Sequence, residues 1–264
     1  MAFAALLLSA TARADSATPR DLASALEGTS ATGIVVDMRS GAVLASIGGQ
    51  PQGTPGSTLK PLLLEYALEH GVVNEQTQVY CRRNLHIGGR ALPCTHPATQ
   101  PVFDAESALA ESCNTWFAAM AQRMSGPQLE TALTEAHLRH VSMEHAAVEQ
   151  RQLAVLGVTG VTVTPLELAQ AYRGLLARIA PDGVVFRGLK ESVDYGMANP
   201  SRVPGMTILG KTGTASDPGE AWTHGWFIGA LPGWLVVVIY VSHGDGGTAA
   251  RLAQAFFRAE SQTP

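Results

Sequence analysis

Residues 223–242 read THGWFIGALPGWLVVVIYVS, and this stretch decides the fold. Thr223 to Leu231 and Trp234 to Ser242 are apolar runs rich in β-branched and aromatic residues, of strand length, so each is expected as a β-strand. Pro232-Gly233 between them is a tight-turn dipeptide. Working back along the chain, Met206 to Thr214 reads as a further strand. Close to the start, Thr32 to Met38 and Ala42 to Ile47 form a second hairpin joined by Arg39-Ser40-Gly41. Helices are expected at Pro19 to Glu27 and, amphipathic, at Thr248 to Glu260. Five strands in two separated groups, with a helix at each end, imply one five-stranded antiparallel sheet built from both ends of the chain. The fold class is α/β in the α+β sense.

The middle of the chain reads as helical. Ser57 to His70 places Leu62, Leu63, Tyr66 and Ala67 at helical spacing and stops at Gly71. Ala105 to Met124 is alanine-rich, with an interruption expected around Ser112, and Pro127 to Leu138 follows. Thr164-Pro165-Leu166-Glu167 is a capping box with proline in the first turn, opening a helix to about Arg178. The expected organisation is a single catalytic domain over residues 15–264. A helical lobe of about residues 57–180 is inserted between sheet segments 32–48 and 206–242.

At 264 residues, 46% of them hydrophobic, the chain is long enough to bury a substantial core. Its formal charge of −4 is spread without an acidic or basic run, which argues against nucleic-acid binding. Ala2 to Ala10 form an apolar run ahead of Ala12-Arg13-Ala14, the pattern of a signal peptide over residues 1–14 with an A-x-A cleavage site. The mature chain is therefore expected to begin near Asp15 and to work in the periplasm or another extracytoplasmic space. In that oxidising setting Cys81 and Cys94 are expected to form a disulfide, with Cys113 apart. A zinc set of Cys81, His86, Cys94 and His96 has suitable ligand types at an unfamiliar spacing. His137, His140, Glu144 and His145 match neither H-E-x-x-H nor H-x-x-E-H and read as solvated helix and loop surface. Trp222, Trp226 and Trp234 read as core or cleft-wall residues.

Only three lysines occur among the 18 basic residues, and two of them sit in short motifs. Lys60 ends Ser57-Thr58-Leu59-Lys60, and Lys211 opens Lys211-Thr212-Gly213-Thr214. Between them lies Ser112-Cys113-Asn114. Arginine serves wherever a bare cation suffices, and a lysine can surrender its proton where arginine cannot. Each motif alone is a weak signal, but the three together are specific.

The chemistry follows from the spacing. Residues three apart share a helix face, so Lys60 can act as base toward a Ser57 nucleophile. At a helix start, unpaired N–H groups and the positive dipole end favour an oxyanion and oppose charge on Lys60, as does a neighbouring Lys211. Ser112 can relay a proton; Asn114 can donate to a substrate amide and orient Lys60. Lys211 to Thr214 is expected as an edge strand facing the cleft. There Lys211 offers charge to a terminal carboxylate, Thr212 and Thr214 offer hydroxyls, and Gly213 leaves room for a substrate backbone. The N–H groups of Ser57 and Thr214 would form the oxyanion hole. No cofactor and no metal are needed.

Serine, lysine, S-x-N and K-T-G in this order resemble the signature of penicillin-binding proteins and serine β-lactamases. Gly56-Ser57-Thr58-Leu59-Lys60-Pro61 is similar to the nucleophile segment of the high-molecular-mass transpeptidases. Val161 to Ala169, and Ala221 to Pro232 with Trp226-Phe227-Ile228-Gly229, are similar to their later landmarks. The resemblance implies acylation of Ser57 by a D-alanyl-D-alanine stem peptide of peptidoglycan, then transfer to an amine or water. It also implies β-lactams as covalent inhibitors and cell-wall synthesis proteins as partners. No large non-catalytic module or membrane anchor of the kind those transpeptidases carry is found in the sequence. The stretch from Ser112 to Lys211 is short for that group and closer to small carboxypeptidases and β-lactamases.

D,D-transpeptidase is the favoured activity, with D,D-carboxypeptidase, serine β-lactamase and non-catalytic β-lactam sensor as alternatives. A class A β-lactamase would carry E-x-x-L-N, which is missing; Glu144 and Glu149 lack that setting, and Glu167 belongs to a capping box. A class D enzyme would carry S-x-V and Y-G-N, where this chain has Ser112-Cys113-Asn114 and Tyr195-Gly196-Met197.

Overall fold

The computed structural model describes residues 18–262. The expected signal peptide lies outside the described residues. Five strands form the central sheet: β1 (Thr32–Asp37), β2 (Val43–Ile47), β3 (Leu209–Ala215), β4 (His224–Leu231) and β5 (Leu235–Val241). Their order is β2-β1-β5-β4-β3, with every pairing antiparallel. The first hairpin therefore pairs its β1 directly with β5, joining Thr32 to Tyr240 and Asp37 to Leu235. In the last hairpin the Trp234 N–H bonds the Leu231 carbonyl at 3.0 Å. Gly233 turns there with φ +75°, a conformation that a residue with a Cβ resists.

β5 is apolar at every position because the sheet is covered on both faces. Side chains alternate along a strand, so Val236, Val238 and Tyr240 enter one core while Leu235, Val237, Ile239 and Val241 enter the other. The second core is closed by a helix over residues 18–26 (α1) and by α9 (Gly246–Gln262), through Leu22, Leu26, Phe256 and Phe257. The first core belongs to the helices between β2 and β3, namely α2 (Lys60–Glu69), α3 (Ala105–Ala110), α4 (Asn114–Arg123), α5 (Gly126–Glu135), α6 (Val148–Val155), α7 (Pro165–Arg178) and α8 (Val184–Asp194).

Differences from the sequence reading are local. The segment expected as one helix from Ser57 opens as a 3-10 turn, Gly56–Leu59, and becomes α-helical only at Lys60. Helices α6 and α8 were not anticipated, although α8 carries Val184, Val185, Leu189 and Val193 on one buried face. The interruption expected around Ser112 is real: α3 stops at Ala110 and α4 starts at Asn114. Thr164 caps α7 as expected, its hydroxyl accepting from the Glu167 N–H at 3.3 Å. The expected Cys81–Cys94 disulfide is not formed, and all three cysteines are free. Cys94 Sγ lies 3.8 Å from Cys113 Sγ, while Cys81 Sγ lies 3.6 Å from His96 Nε2. Cys81 and Cys94 thus meet in a common cluster with Cys113 and His96 rather than as a bonded pair.

Candidate active site

Three elements bring the motifs together. The first is the turn before α2. Gly56 has φ +56° and its N–H bonds the Gly157 carbonyl at 2.9 Å. A side chain on Gly56 would meet the Thr214 backbone N at 2.9 Å. The nucleophile turn is thus pressed against the edge strand β3, with no side chain on Gly56 to hold them apart. Residues three apart on such a turn share a face, the face of half-buried Ser57 and of fully buried Lys60, the first residue of α2.

The second element is the break between α3 and α4. Ser112 sits there in the left-handed region, φ +56°, one of two non-glycine residues with positive φ among the described residues. Such a conformation is unfavourable for a residue with a Cβ, and it persists where the surroundings over-determine it. The surroundings are the two lysines. Lys60 Nζ lies 2.9 Å from the Ser112 carbonyl, 3.1 Å from Ser112 Oγ and 2.7 Å from Asn114 Oδ1. Lys211 Nζ, from β3, reaches the same Ser112 Oγ at 2.8 Å.

β3 is the third element. It lies at the edge of the sheet, as expected. Alternation places Lys211 and Gly213 toward the helical lobe, with Thr212 and Thr214 on the other side. Thr212 Oγ1 lies 3.5 Å from the Met197 carbonyl, and Thr214 Oγ1 accepts from the Gly246 N–H at 3.0 Å. The space left by Gly213, read from the sequence as room for substrate, is filled by this chain: a Cβ there would meet the Pro55 carbonyl at 2.4 Å. Asn114 is likewise engaged, its Nδ2 donating to the Leu92 and Pro93 carbonyls at 3.3 and 3.2 Å.

The electrostatics of the two lysines are unusual. Both are wholly buried. Burial holds Lys60 down to about 8, against a weaker opposing pull from the neighbouring thiols of Cys113 and Cys94. Lys211 is held well below the ordinary lysine range, first by burial and then by repulsion from Lys60. A neutral Lys60 has two N–H groups and one lone pair. It can donate to Asn114 and the Ser112 carbonyl while the lone pair accepts a proton. The Lys60 ammonium also lies 5.1 Å from the centre of the Phe117 ring.

Other residues singled out from the sequence lie elsewhere. His140 Nε2 faces Glu130 at 3.4 Å, away from the lysines. Trp226 is fully buried and its Nε1 donates to the Thr54 carbonyl at 3.0 Å, so it fixes the chain leading to Ser57. Trp222 is exposed and stacks on His243. Tyr172 went unnoticed in the sequence; its buried hydroxyl donates to the Thr58 carbonyl at 2.7 Å and steadies the same turn.

Residues 31–187 match the family described as penicillin binding protein transpeptidase domain, and the chain belongs to that family. Solved structures agree on the fold. The D,D-transpeptidase domain of a peptidoglycan glycosyltransferase from Eggerthella lenta superposes with a TM-score of 0.79 at 20% identity, covering 92% of this chain and 80% of that one. The transpeptidase domain of Burkholderia pseudomallei penicillin-binding protein 3 gives 0.78 at 18% identity, covering 94% and 93%. Pseudomonas aeruginosa PBP2 gives 0.77 at 18% identity, covering 92% and 74%. We find no match among curated protein sequences. Among the described residues, no helix is long and apolar enough to cross a membrane.

Proposed function

We propose that this chain is an extracytoplasmic serine D,D-transpeptidase acting on peptidoglycan stem peptides that end in D-alanyl-D-alanine. Ser57 is the nucleophile. Neutral Lys60 takes its proton as Oγ attacks the carbonyl of the penultimate D-alanine. The resulting oxyanion is received by the N–H groups of Ser57 and Thr214, whose chain segments are in contact across Gly56. Ser112 passes a proton to the departing amine as the carbon–nitrogen bond breaks, and Lys60 restores it. An amine or water then repeats the steps in reverse on the acyl-serine. Lys211, on the side of β3 that faces the helical lobe, receives the terminal carboxylate, while Thr212 and Thr214, expected from the sequence to share that task, turn their hydroxyls to the Met197 carbonyl and the Gly246 N–H on the other side. That negative charge supplies Lys211 with the counter-ion its burial lacks.

The observation that carries this reading is the Ser112 hydroxyl held between two buried lysines, 3.1 Å from one and 2.8 Å from the other. A merely structural serine has no need of two buried lysine amines. Cell-wall synthesis proteins are the partners this function implies, and β-lactams would acylate the same serine.

The test is time-resolved labelling with a fluorescent penicillin, following both capture and release. A stable adduct on Ser57, absent in folded Ser57→Ala, is expected. Rapid release would make the chain a β-lactamase, and a stable adduct with no turnover of stem peptide would make it a sensor. Release of D-alanine from stem peptide without transfer to an amine would make it a carboxypeptidase. Labelling retained by Ser57→Ala would remove the nucleophile assignment.

A further inference from the structure

Beside the lysines, on the far side of Ser112-Cys113-Asn114, lies a group of side chains that the proposed reaction does not use. Cys81, Cys94, His96 and Cys113 are all buried, and each offers a ligand atom within 4.8 Å of the others. They come from three separate places: the residue after a short strand at Val79–Tyr80, the loop through residues 92–97, and the junction of α3 with α4. A zinc ion bound tetrahedrally to thiolates at about 2.3 Å and imidazole at about 2.0 Å would hold sulfurs about 3.8 Å apart. The same ion would hold sulfur and nitrogen about 3.5 Å apart. The separations are 3.8 Å between Cys94 and Cys113 sulfurs and 3.6 Å between Cys81 Sγ and His96 Nε2.

The imidazole is set for coordination. His96 Nδ1 lies 2.9 Å from the Pro97 carbonyl, which can only accept, and 3.5 Å from Arg83 Nη1, which can only donate; the shorter contact to the carbonyl places the proton on Nδ1. Nε2 is left with its lone pair toward the sulfurs, the arrangement that accompanies metal-bound histidine. Arg83 braces the loop from behind, donating to the His96 and Cys94 carbonyls at 2.6 and 3.3 Å. Thr115 Oγ1 lies 3.8 and 3.7 Å from the Cys81 and Cys94 sulfurs and donates to the Arg82 carbonyl at 2.9 Å. The sequence reading expected no metal, and the zinc set it weighed, Cys81, His86, Cys94 and His96, differs from this cluster by one residue. His86 turns outward, with its Nδ1 3.1 Å from the Asn84 carbonyl, and Cys113, distant in sequence, takes its place.

We propose that Cys81, Cys94, His96 and Cys113 bind one zinc ion in a closed structural site. With four protein ligands and no open position, the ion has no catalytic role. Its effect is positional. Cys113 separates Ser112 from Asn114, and the loop bearing Cys94 also supplies the Leu92 and Pro93 carbonyls that hold the Asn114 amide. The ion therefore clamps both sides of Asn114 and supports the strained backbone at Ser112.

To test this, the full chain is purified under reduction, exposed to zinc, freed of loose metal by gel filtration, and analysed for metal content. One zinc per folded chain is expected. Cobalt in its place should show thiolate-to-metal charge transfer in the near ultraviolet and the intense visible bands of a tetrahedral ion. Cys81→Ser and His96→Ala should weaken cobalt binding by at least tenfold to a hundredfold, in keeping with the effect of disturbing metal sites. Should either variant fail to fold, stoichiometry and the cobalt spectrum of the unaltered chain still decide. Folded, reduced protein retaining less than one tenth of an equivalent of zinc would overturn the proposal. So would a weak octahedral cobalt spectrum, or a Cys94–Cys113 disulfide that forms in the presence of excess zinc.

Discussion

Lys60 shows how much one side chain's surroundings decide. An exposed lysine would stay protonated at neutral pH; burial brings this one to about 8. In the proposed reaction only the neutral amine accepts the Ser57 proton. Its fraction rises about tenfold per pH unit below the pKa and levels off above it. Penicillin acylation rates are therefore expected to climb about tenfold from pH 6 to pH 7 and to flatten beyond about 8. Lys60→Arg keeps the cation but cannot lose the proton. It is expected to slow acylation by at least about 10²-fold, with the climb abolished. A pH-independent wild-type rate between pH 6 and 8 would remove the base role. The importance of Lys60 was legible in the sequence because lysine is scarce there. Its association with Ser112 and Asn114 was expected from the motifs, but the contacts themselves span 52 and 54 residues, and only the fold sets their geometry.

At the scale of elements, the nucleophile turn depends on a loop far along the chain. Gly157 has φ +68°, and a Cβ on it would lie 2.0 Å from the Gly56 carbonyl oxygen. Backbone cannot yield as a flexible side chain would. Gly157→Ala is expected to push the Ser57 turn away from β3 and slow penicillin acylation by about 10²-fold, the effect of a displacement near 1 Å on a positioned group. Gly71 offers the control: it also has positive φ, +64°, but an added Cβ would meet nothing within 4 Å. Gly71→Ala should cost about 1 kcal/mol of stability and leave acylation unchanged. Equal acylation rates in the two variants would refute this coupling. Strands and capped helices were readable from periodicity and turn residues. The 3-10 opening of the Ser57 segment was not, because packing of Gly56 on β3 and Gly157, rather than local preference, tightens that turn.

Over the whole molecule, the sheet separates two cores, and only one of them adjoins the candidate site. Phe257 lies in the other, fully buried against Phe227 and Phe256. Phe257→Ala is expected to lower stability by about 3–5 kcal/mol in a denaturant titration. Acylation by the fraction that stays folded should remain within about twofold of wild type, since Lys60, Ser112 and Lys211 lie across the sheet. A large loss of acylation in fully folded Phe257→Ala would show that the two faces are coupled. What the sequence determined by itself was local or periodic: five strands, most of the helices, the capping box, and the three motifs with their scarce lysines. Those features depend on side-chain alternation, turn chemistry and composition, which neighbouring residues express without help from distant ones. Only the tertiary structure decided which side of each motif faces which. It set Ser112 between two lysines, filled the space beside Gly213 with Pro55, and brought Cys113 to Cys81, Cys94 and His96. Each of these arises where separate stretches of chain close-pack, and no spacing within one stretch encodes it.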